Sequence, residues 1–156
     1  MTKVQTCDDK EQWDEYVVDN DGHPLQLWGW GEVKAAHGWR AERVFVLDDT
    51  NTIVGAAQLL TKPLPQPFGA LVYVPRGPVA REAERAVVLE SISRHAKLIY
   101  KPVALTIEPD WERMPAVEGW KPSSNTILTP RTLILDLNKS EDELQAVMSK
   151  KTRQYI

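Results

Sequence analysis

The spacing of apolar residues changes period several times along the chain, and each change predicts an element. Behind the acids Asp8 and Asp9, Trp13, Tyr16 and Val17 recur at helical spacing until Asn20-Asp21-Gly22 breaks the run, which predicts a short capped helix. Pro24 can open a second helix whose apolar face is drawn from Leu27, Trp28, Trp30 and Val33, and Gly38 supplies a left-handed exit after His37. Lys34, one helical turn past Trp30, shares that residue's face. Then the pattern turns to β-formers. Arg43–Leu47 and Ile53–Leu60 read as two strands, and Asp48-Asp49-Thr50-Asn51 between them carries the turn chemistry of a hairpin. Pro63, Pro65, Pro67 and Gly69 forbid regular structure until Leu71–Val74, a third strand closed off by Pro75. Helical spacing returns over Glu82–Tyr100 in Ala83, Ala86, Val87, Ile92 and Ala96. Val103–Ile107 follows as a buried strand, so helix and strand together imply a crossover.

Between Trp111 and Ser124, Pro115, Gly119 and Pro122 break every pattern, and only Glu118–Lys121 suits a short extended piece. Thr132–Asp136 reads as a further strand. Ser140-x-x-Glu143 is a capping box at the head of a last helix, which runs to the end of the chain among basic residues with no stop signal. The order is therefore two helices, three strands, helix, strand, strand, helix. This is an α+β order of the kind a GNAT-type acyltransferase fold shows. Residues 1–139 are expected to form that domain and residues 140–156 to begin a helix leading out of it, so that the chain reads as truncated.

Composition narrows the function classes. At 156 residues the chain can bury about two-thirds of its unfolded surface. Its apolar fraction of 42% and charged fraction of 26% are those of a globular protein. No run approaches the roughly 18 apolar residues of a spanning helix, and the N-terminus lacks the layout of a signal peptide, so a cytoplasmic location is expected. Cys7 is the lone cysteine, and no Cys/His cluster has metal-ligand spacing, so no metal or redox site is expected. A net charge of −3 argues against a nucleic-acid binder that works through an overall positive field. Lys150, Lys151 and Arg153 follow the acidic Glu141–Glu143 and match the dipole of the last helix.

The chain contains no Gly-x-Ser-x-Gly elbow, no Ser-x-x-Lys and no glycine-rich phosphate loop. A coenzyme A cradle of the acetyltransferase kind needs an Arg/Gln-x-x-Gly-x-Gly/Ala run. Here only Arg76-Gly77-Pro78 stands, and Pro78 removes a backbone donor. CoA-dependent N-acetylation is accordingly the second reading. Arg76, between Pro75 and Gly77, offers a guanidinium fork suited to a carboxylate or phosphate, or equally to an internal ion pair. Glu108 ends a buried strand before Pro109, where it either faces a site or caps the following turn with Asp110. Of Trp28, Trp30 and Trp39, at least one should enter the core while another walls a groove. His23, His37 and His95 have no partners at catalytic spacing.

Five runs, in order along nearly the whole chain, give these residues a context: Leu25-Gln-Leu-Trp-Gly-Trp-Gly-Glu-Val-Lys34 with Gly38-Trp39, Tyr73-Val-Pro-Arg-Gly-Pro-Val79, Ile107-Glu-Pro-Asp110, Pro130-Arg-Thr-Leu-Ile-Leu-Asp-Leu137 and Ser149-Lys-Lys-Thr-Arg153. Together they resemble the Fem family, the FemA/FemB/FemX-like aminoacyltransferases that build peptidoglycan cross-bridges. The resemblance implies two tandem GNAT-like domains, of which this chain covers the first and the start of the connection. It further implies transfer of an amino acid from aminoacyl-tRNA, with no bound cofactor, to the peptide of a lipid- or UDP-linked peptidoglycan precursor, with peripheral contact at the inner membrane face. Lys34 matches the lysine that meets the precursor's diphosphate, as a flexible ammonium can, or else is a solvated helix lysine. Glu108 matches an acidic position near the acceptor peptide, able to orient or deprotonate an attacking amine. Arg76 and Trp30 are the other expected substrate contacts. Alone, the chain is expected to be weakly active or inactive. A third reading is a non-catalytic module that binds a precursor or partner through exposed apolar surface.

Overall fold

Each helix on the first face of the molecule begins with a side chain from outside it. The carboxylate of Asp9 accepts from the backbone N–H groups of Glu11 and Gln12 at 2.9 and 3.1 Å and starts α1 (Lys10–Asp19). The ring of His23 accepts from Leu25 N–H and starts a 3₁₀ turn over Pro24–Gln26. Pro24 therefore does not open the second helix directly. Leu27 is extended, and α2 (Trp28–Ala35) begins one residue later, where Asp14 of α1 accepts from Trp28 N–H at 2.7 Å. The computed structural model describes residues 2–129, 131–132 and 134–155.

Among the described residues six strands form one mixed sheet: β1 (Lys3–Thr6), β2 (Arg40–Leu47), β3 (Ile53–Pro63), β4 (Ala70–Pro75), β5 (Val79–Ala80) and β6 (Ala104–Glu108). Their order is β1-β2-β3-β4-β6, with β5 paired to β3. All neighbours are antiparallel except β4 and β6, which α3 (Arg85–Tyr100) joins as the expected crossover. Strand alternation sends β2 residues to opposite faces. Val44 and Val46 pack with Val88 and Ile92 of α3, whereas Phe45 and Leu47 pack with Trp13 and Val17 of α1. The rings of Trp13 and Phe45 lie 5.3 Å apart. The result is a mixed α+β fold of three layers.

Glu42 of β2 also points to the α3 face. It receives His95 Nε2 at 3.1 Å and the hydroxyl of Tyr100, so His95 has the partner that chain spacing did not reveal. Burial pushes the Glu42 carboxyl up, but the hydrogen bonds from His95 and Tyr100 outweigh it and hold the group below the usual carboxylate range. A depressed folded value contributes stability that is complete above the unfolded pKa of about 4.3 and is lost as pH falls through the lower folded one. Glu42→Gln should therefore be less stable than the parent at neutral pH, and the gap should close in acid. Urea denaturation at a series of pH values checks this, and a gap that does not narrow on acidification contradicts it.

The C-terminal stretch departs from expectation. Thr132 and Ile134–Asp136 form no strand, while Leu133 lies outside the described residues. Ile134 and Leu137 are exposed, and among the described residues no strand pairs with this stretch. The extended piece expected at Glu118–Lys121 is also absent, since a turn occupies Glu118 and Gly119. The Ser140–Glu143 capping box forms as expected and heads α4 (Glu141–Val147). This helix then stops. Met148 is extended, and Ser149 restarts a separate turn, α5 (Lys150–Arg153), by accepting from Thr152 N–H. Neither helix has a buried residue to hold the two in one line.

Candidate functional site

The site grows from a gap in the sheet. β3 pairs with β4 from Pro63↔Ala70 to Leu60↔Tyr73, and with β5 only at Ala56↔Val79 and Gly55↔Ala80. Between these stretches the chain leaves the sheet, and the side chain of Gln26 takes its place. Gln26 accepts from Gln58 N–H at 2.8 Å and donates to the Pro75 carbonyl at 2.6 Å, while its own carbonyl receives Trp13 Nε1 at 2.7 Å. Gln26 is fully buried, as is Gln58, which donates in turn to the carbonyls of Leu25 and Leu27. Gly77 makes the insertion possible, because a Cβ there would lie within 2.7 Å of the Gln26 amide. Gly31 does the same for α2, where a Cβ would meet the side chains of Gln58 and Arg43 at 2.4 and 2.5 Å. Arg43 lies 3.5 Å above the Trp28 ring and donates to the Trp28 carbonyl, so α2 is fastened to the sheet by polar and stacking contacts.

Two cavities flank this arrangement. The first, of about 250 Å³, is walled by Lys34 and Trp39 from the end of α2 and beyond, Leu60, Tyr73, Thr106 and Ile127. The Lys34 ammonium stands 4.9 Å from the centre of the Trp30 ring. Trp30 therefore carries the cation, and Trp39 rather than Trp30 forms the indole wall. Behind the cavity, Tyr73 donates its hydroxyl to Glu108 at 2.5 Å. Burial, together with this pairing, pushes the Tyr73 phenol well above its ordinary range, so it stays protonated, with its proton committed to Glu108. Glu108 also accepts from Ile127 N–H at 2.6 Å and from Leu128 N–H at 3.1 Å.

The second cavity, of about 230 Å³, contains His23, Arg76, Arg85, Asp110 and Trp111. Arg76 has a left-handed backbone, φ 48°, in the excursion that Gln26 pins. It pairs with Asp110 at 3.5 Å and donates to the Thr129 carbonyl at 2.7 Å. Glu108 and Arg76 thus fasten the same strap, residues 127–129, from opposite ends. Burial lowers the His23 pKa from its ordinary value. The structure brings Lys34, Trp39 and Tyr73 to one cavity with Glu108 behind them, and puts Arg76 in another. A larger, mostly apolar cavity of about 780 Å³ lies along the outer edge of β6 against Met114, Val117 and Trp120. Among the described residues no group of His, Cys, Asp and Glu is placed to hold a metal ion.

Tyr73, Gln26 and Ile127 are the site residues that chain patterning missed. Tyr73 reads as one more β-former, and its partner stands across a parallel strand pair. Gln26, a lone amide between two leucines, is the one local signal: a polar residue at an otherwise apolar position asks for buried partners.

The sequence model of the FemAB family matches residues 9–114. A protein named lipid II:glycine glycyltransferase from Staphylococcus aureus (strain MRSA252) is 33% identical over 166 residues, which cover 94% of this chain and 39% of that protein. One of the same name from Staphylococcus epidermidis is 31% identical over 165 residues, with equal coverage. The chain spans about two fifths of the length of the curated relatives it matches. The crystal structure of FemX superposes with a TM-score of 0.59 at 29% identity, covering 70% of this chain and 27% of that one. A putative acetyl transferase from Pyrococcus furiosus superposes at 0.50 with 10% identity, over 84% of this chain and 100% of that one, a likeness of fold alone.

Proposed function

The chain belongs to the FemAB family, and from that membership and the Lys34 cavity we propose that it is the acceptor-binding, GNAT-like domain of an aminoacyltransferase that builds peptidoglycan cross-bridges. In this reading it is the first of two tandem domains, with residues 140–156 leading to the second. The enzyme takes an amino acid from aminoacyl-tRNA on the cytoplasmic side and transfers it to the peptide of a lipid-linked precursor. No resident cofactor enters the reaction.

One observation carries the reading: an ammonium held over an indole at the mouth of a cavity walled by a second indole and a phenol. A diphosphate is a dispersed dianion, and a lysine meets it as a mobile point charge. Tyr73 keeps its own proton, donating it in a hydrogen bond to Glu108, and its ring lines the cavity, so its hydroxyl oxygen is assigned to accept from an amine or amide of the acceptor. Of the two roles open to Glu108, we assign the orienting one, because its oxygens are already engaged by Tyr73 and by the strap. Arg76 holds the other end of that strap and is assigned to a carboxylate of the acceptor peptide, with Asp110 its partner when the site is empty.

The coenzyme A reading fares worse. A pantetheine cradle needs the two parallel strands to part, and β4 and β6 stay in register from Leu71↔Ala104 to Pro75↔Glu108. Calorimetry separates the two. Titration with a soluble UDP-linked muropeptide should give saturable heat and titration with coenzyme A none, and the opposite pair of results would replace the proposed function with N-acetylation.

A further inference from the structure

The second cavity is lined by donors that the fold itself leaves idle. Arg85 opens α3 and lays its guanidinium on the Trp111 ring, 4.7 Å from the ring centre. Its Nε is buried without a hydrogen-bond partner, its Nη1 reaches the Arg113 carbonyl only at 3.5 Å, and among the described residues no acid pairs with it. An unpaired buried N–H costs the fold free energy, and an indole under the guanidinium holds its planar fork ready for an acceptor. His23 adds another donor. Its Nδ1 accepts from Leu25 N–H at 3.1 Å, which leaves the ring proton on Nε2, and among the described residues nothing receives that proton.

Backbone strain points to the same place. Among the described residues Asp21, Asn51, Arg76 and Lys101 have a positive φ without being glycine. Asp21 and Lys101 follow helices and Asn51 turns a hairpin, where such backbone is ordinary. Arg76 instead follows a strand, at φ 48°, and strain of this kind collects where a side chain has to be aimed. Its guanidinium lines the cavity with those of Arg85 and the ring of His23.

Charge and size decide what fits. Asp110, which pairs with Arg76, and the exposed Asp21 line the same cavity, so the two arginines leave no excess of positive charge. A phosphate dianion would face two carboxylates there, whereas a single carboxylate can replace Asp110 on the arginines one for one. Asp110 is free to leave, since its side chain is 65% exposed. The volume of about 230 Å³ lies below the roughly 300 Å³ at which pockets take drug-sized ligands, and the buried Pro78 and Val79 give part of the wall an apolar surface suited to a small side chain.

We propose that Arg85 and His23 join Arg76 in a site selective for a free terminal carboxylate on a small residue, the end group of the acceptor peptide. That the ligand is the acceptor rests on the proposed function; the carboxylate selectivity rests on the cavity alone. Ile127 lines the Lys34 cavity and Thr129 receives Arg76, and these two residues of the strap are at most about 7 Å apart. A peptide lying along the strap therefore spans from one cavity to the other, and Arg85 becomes a determinant of which peptide ends are accepted.

The test is NMR titration of the chain with N-acetylglycine, which carries a carboxylate and no amine, against N-acetylglycinamide. The reporter is the Trp111 indole N–H, identified by its loss in Trp111→Phe. N-acetylglycine should move it saturably, N-acetylglycinamide hardly at all, and inorganic phosphate less than N-acetylglycine. Arg85→Gln should weaken the acid roughly tenfold or more, and Arg85→Lys, which keeps the charge without the fork, should retain part of the affinity. Asp110→Asn should tighten binding roughly twofold to fivefold by removing the competing carboxylate. Lys97→Gln, which takes one charge from the same helix, should bind as the parent does. Arg85 makes no ion pair among the described residues, so its variants should melt with the parent. No shift with the acid, an equal shift with the amide, tighter binding of phosphate, or undiminished affinity in Arg85→Gln overturns the proposal. The muropeptide titration is a separate result: a chain that binds muropeptide and ignores N-acetylglycine keeps the proposed function and loses this site, and the reverse keeps the site and loses the function.

Discussion

Gln26→Ala should destabilise the fold by about 3–5 kcal/mol and lower its melting temperature by roughly 10 °C. The side chain bridges Gln58 N–H and the Pro75 carbonyl at a place where no strand can. Truncation leaves a buried donor and a buried acceptor without partners, each worth about 1–3 kcal/mol, and opens a cavity beneath Gly77. The effect should extend to the site, because the freed excursion carries Arg76, whose hydrogen bond to Thr129 holds one end of the strap. Urea unfolding followed by tryptophan fluorescence measures the loss. A change under about 1 kcal/mol would mean that water replaces the amide and that the gap in the sheet needs no plug.

Lys34→Ala carries the second large effect, on binding rather than stability. Lys34 is half-buried at the end of α2 and has no ion-pair partner among the described residues, so its removal should barely move the melting temperature. Affinity for a diphosphate-linked muropeptide should instead fall by roughly tenfold to a hundredfold, the worth of one charge-assisted hydrogen bond in a partly desolvated site. Lys34→Arg should recover part of it, since charge is kept while the compact ammonium is replaced by a planar fork. Calorimetric titration of the three proteins gives the comparison.

How far the chain alone discloses this design depends on the range of the interactions involved. α1, the β2–β3 hairpin, α3 and β6 follow from local patterning, because caps, turn residues and apolar period all lie within a few positions of each element. β1 does not. Lys-Val-Gln-Thr is short and mostly polar, and it becomes a strand only because Val44–Leu47 offer it an edge. The two-residue β5 likewise exists through its pairing with Gly55 and Ala56. The reverse holds at Thr132–Asp136, where good strand chemistry finds no neighbour among the described residues. Within the site, the shared face of Trp30 and Lys34 was visible as helical spacing, and the structure keeps it. The meeting of Glu108 with Tyr73, and of Glu42 with His95, spans tens of residues and needs the crossover to exist first. The exchange of Trp30 for Trp39 as the cavity wall has the same cause: Trp39 lies past Gly38, at φ 81°, where the chain turns back toward the sheet.

The central claim, that Lys34 meets a diphosphate, is tested most directly by phosphorus NMR of the soluble UDP-linked muropeptide. Its two phosphate resonances should shift and broaden as the parent protein is added, and should hardly move with Lys34→Ala at equal concentration. Equal shifts with both proteins would place the diphosphate elsewhere and remove Lys34 from the site.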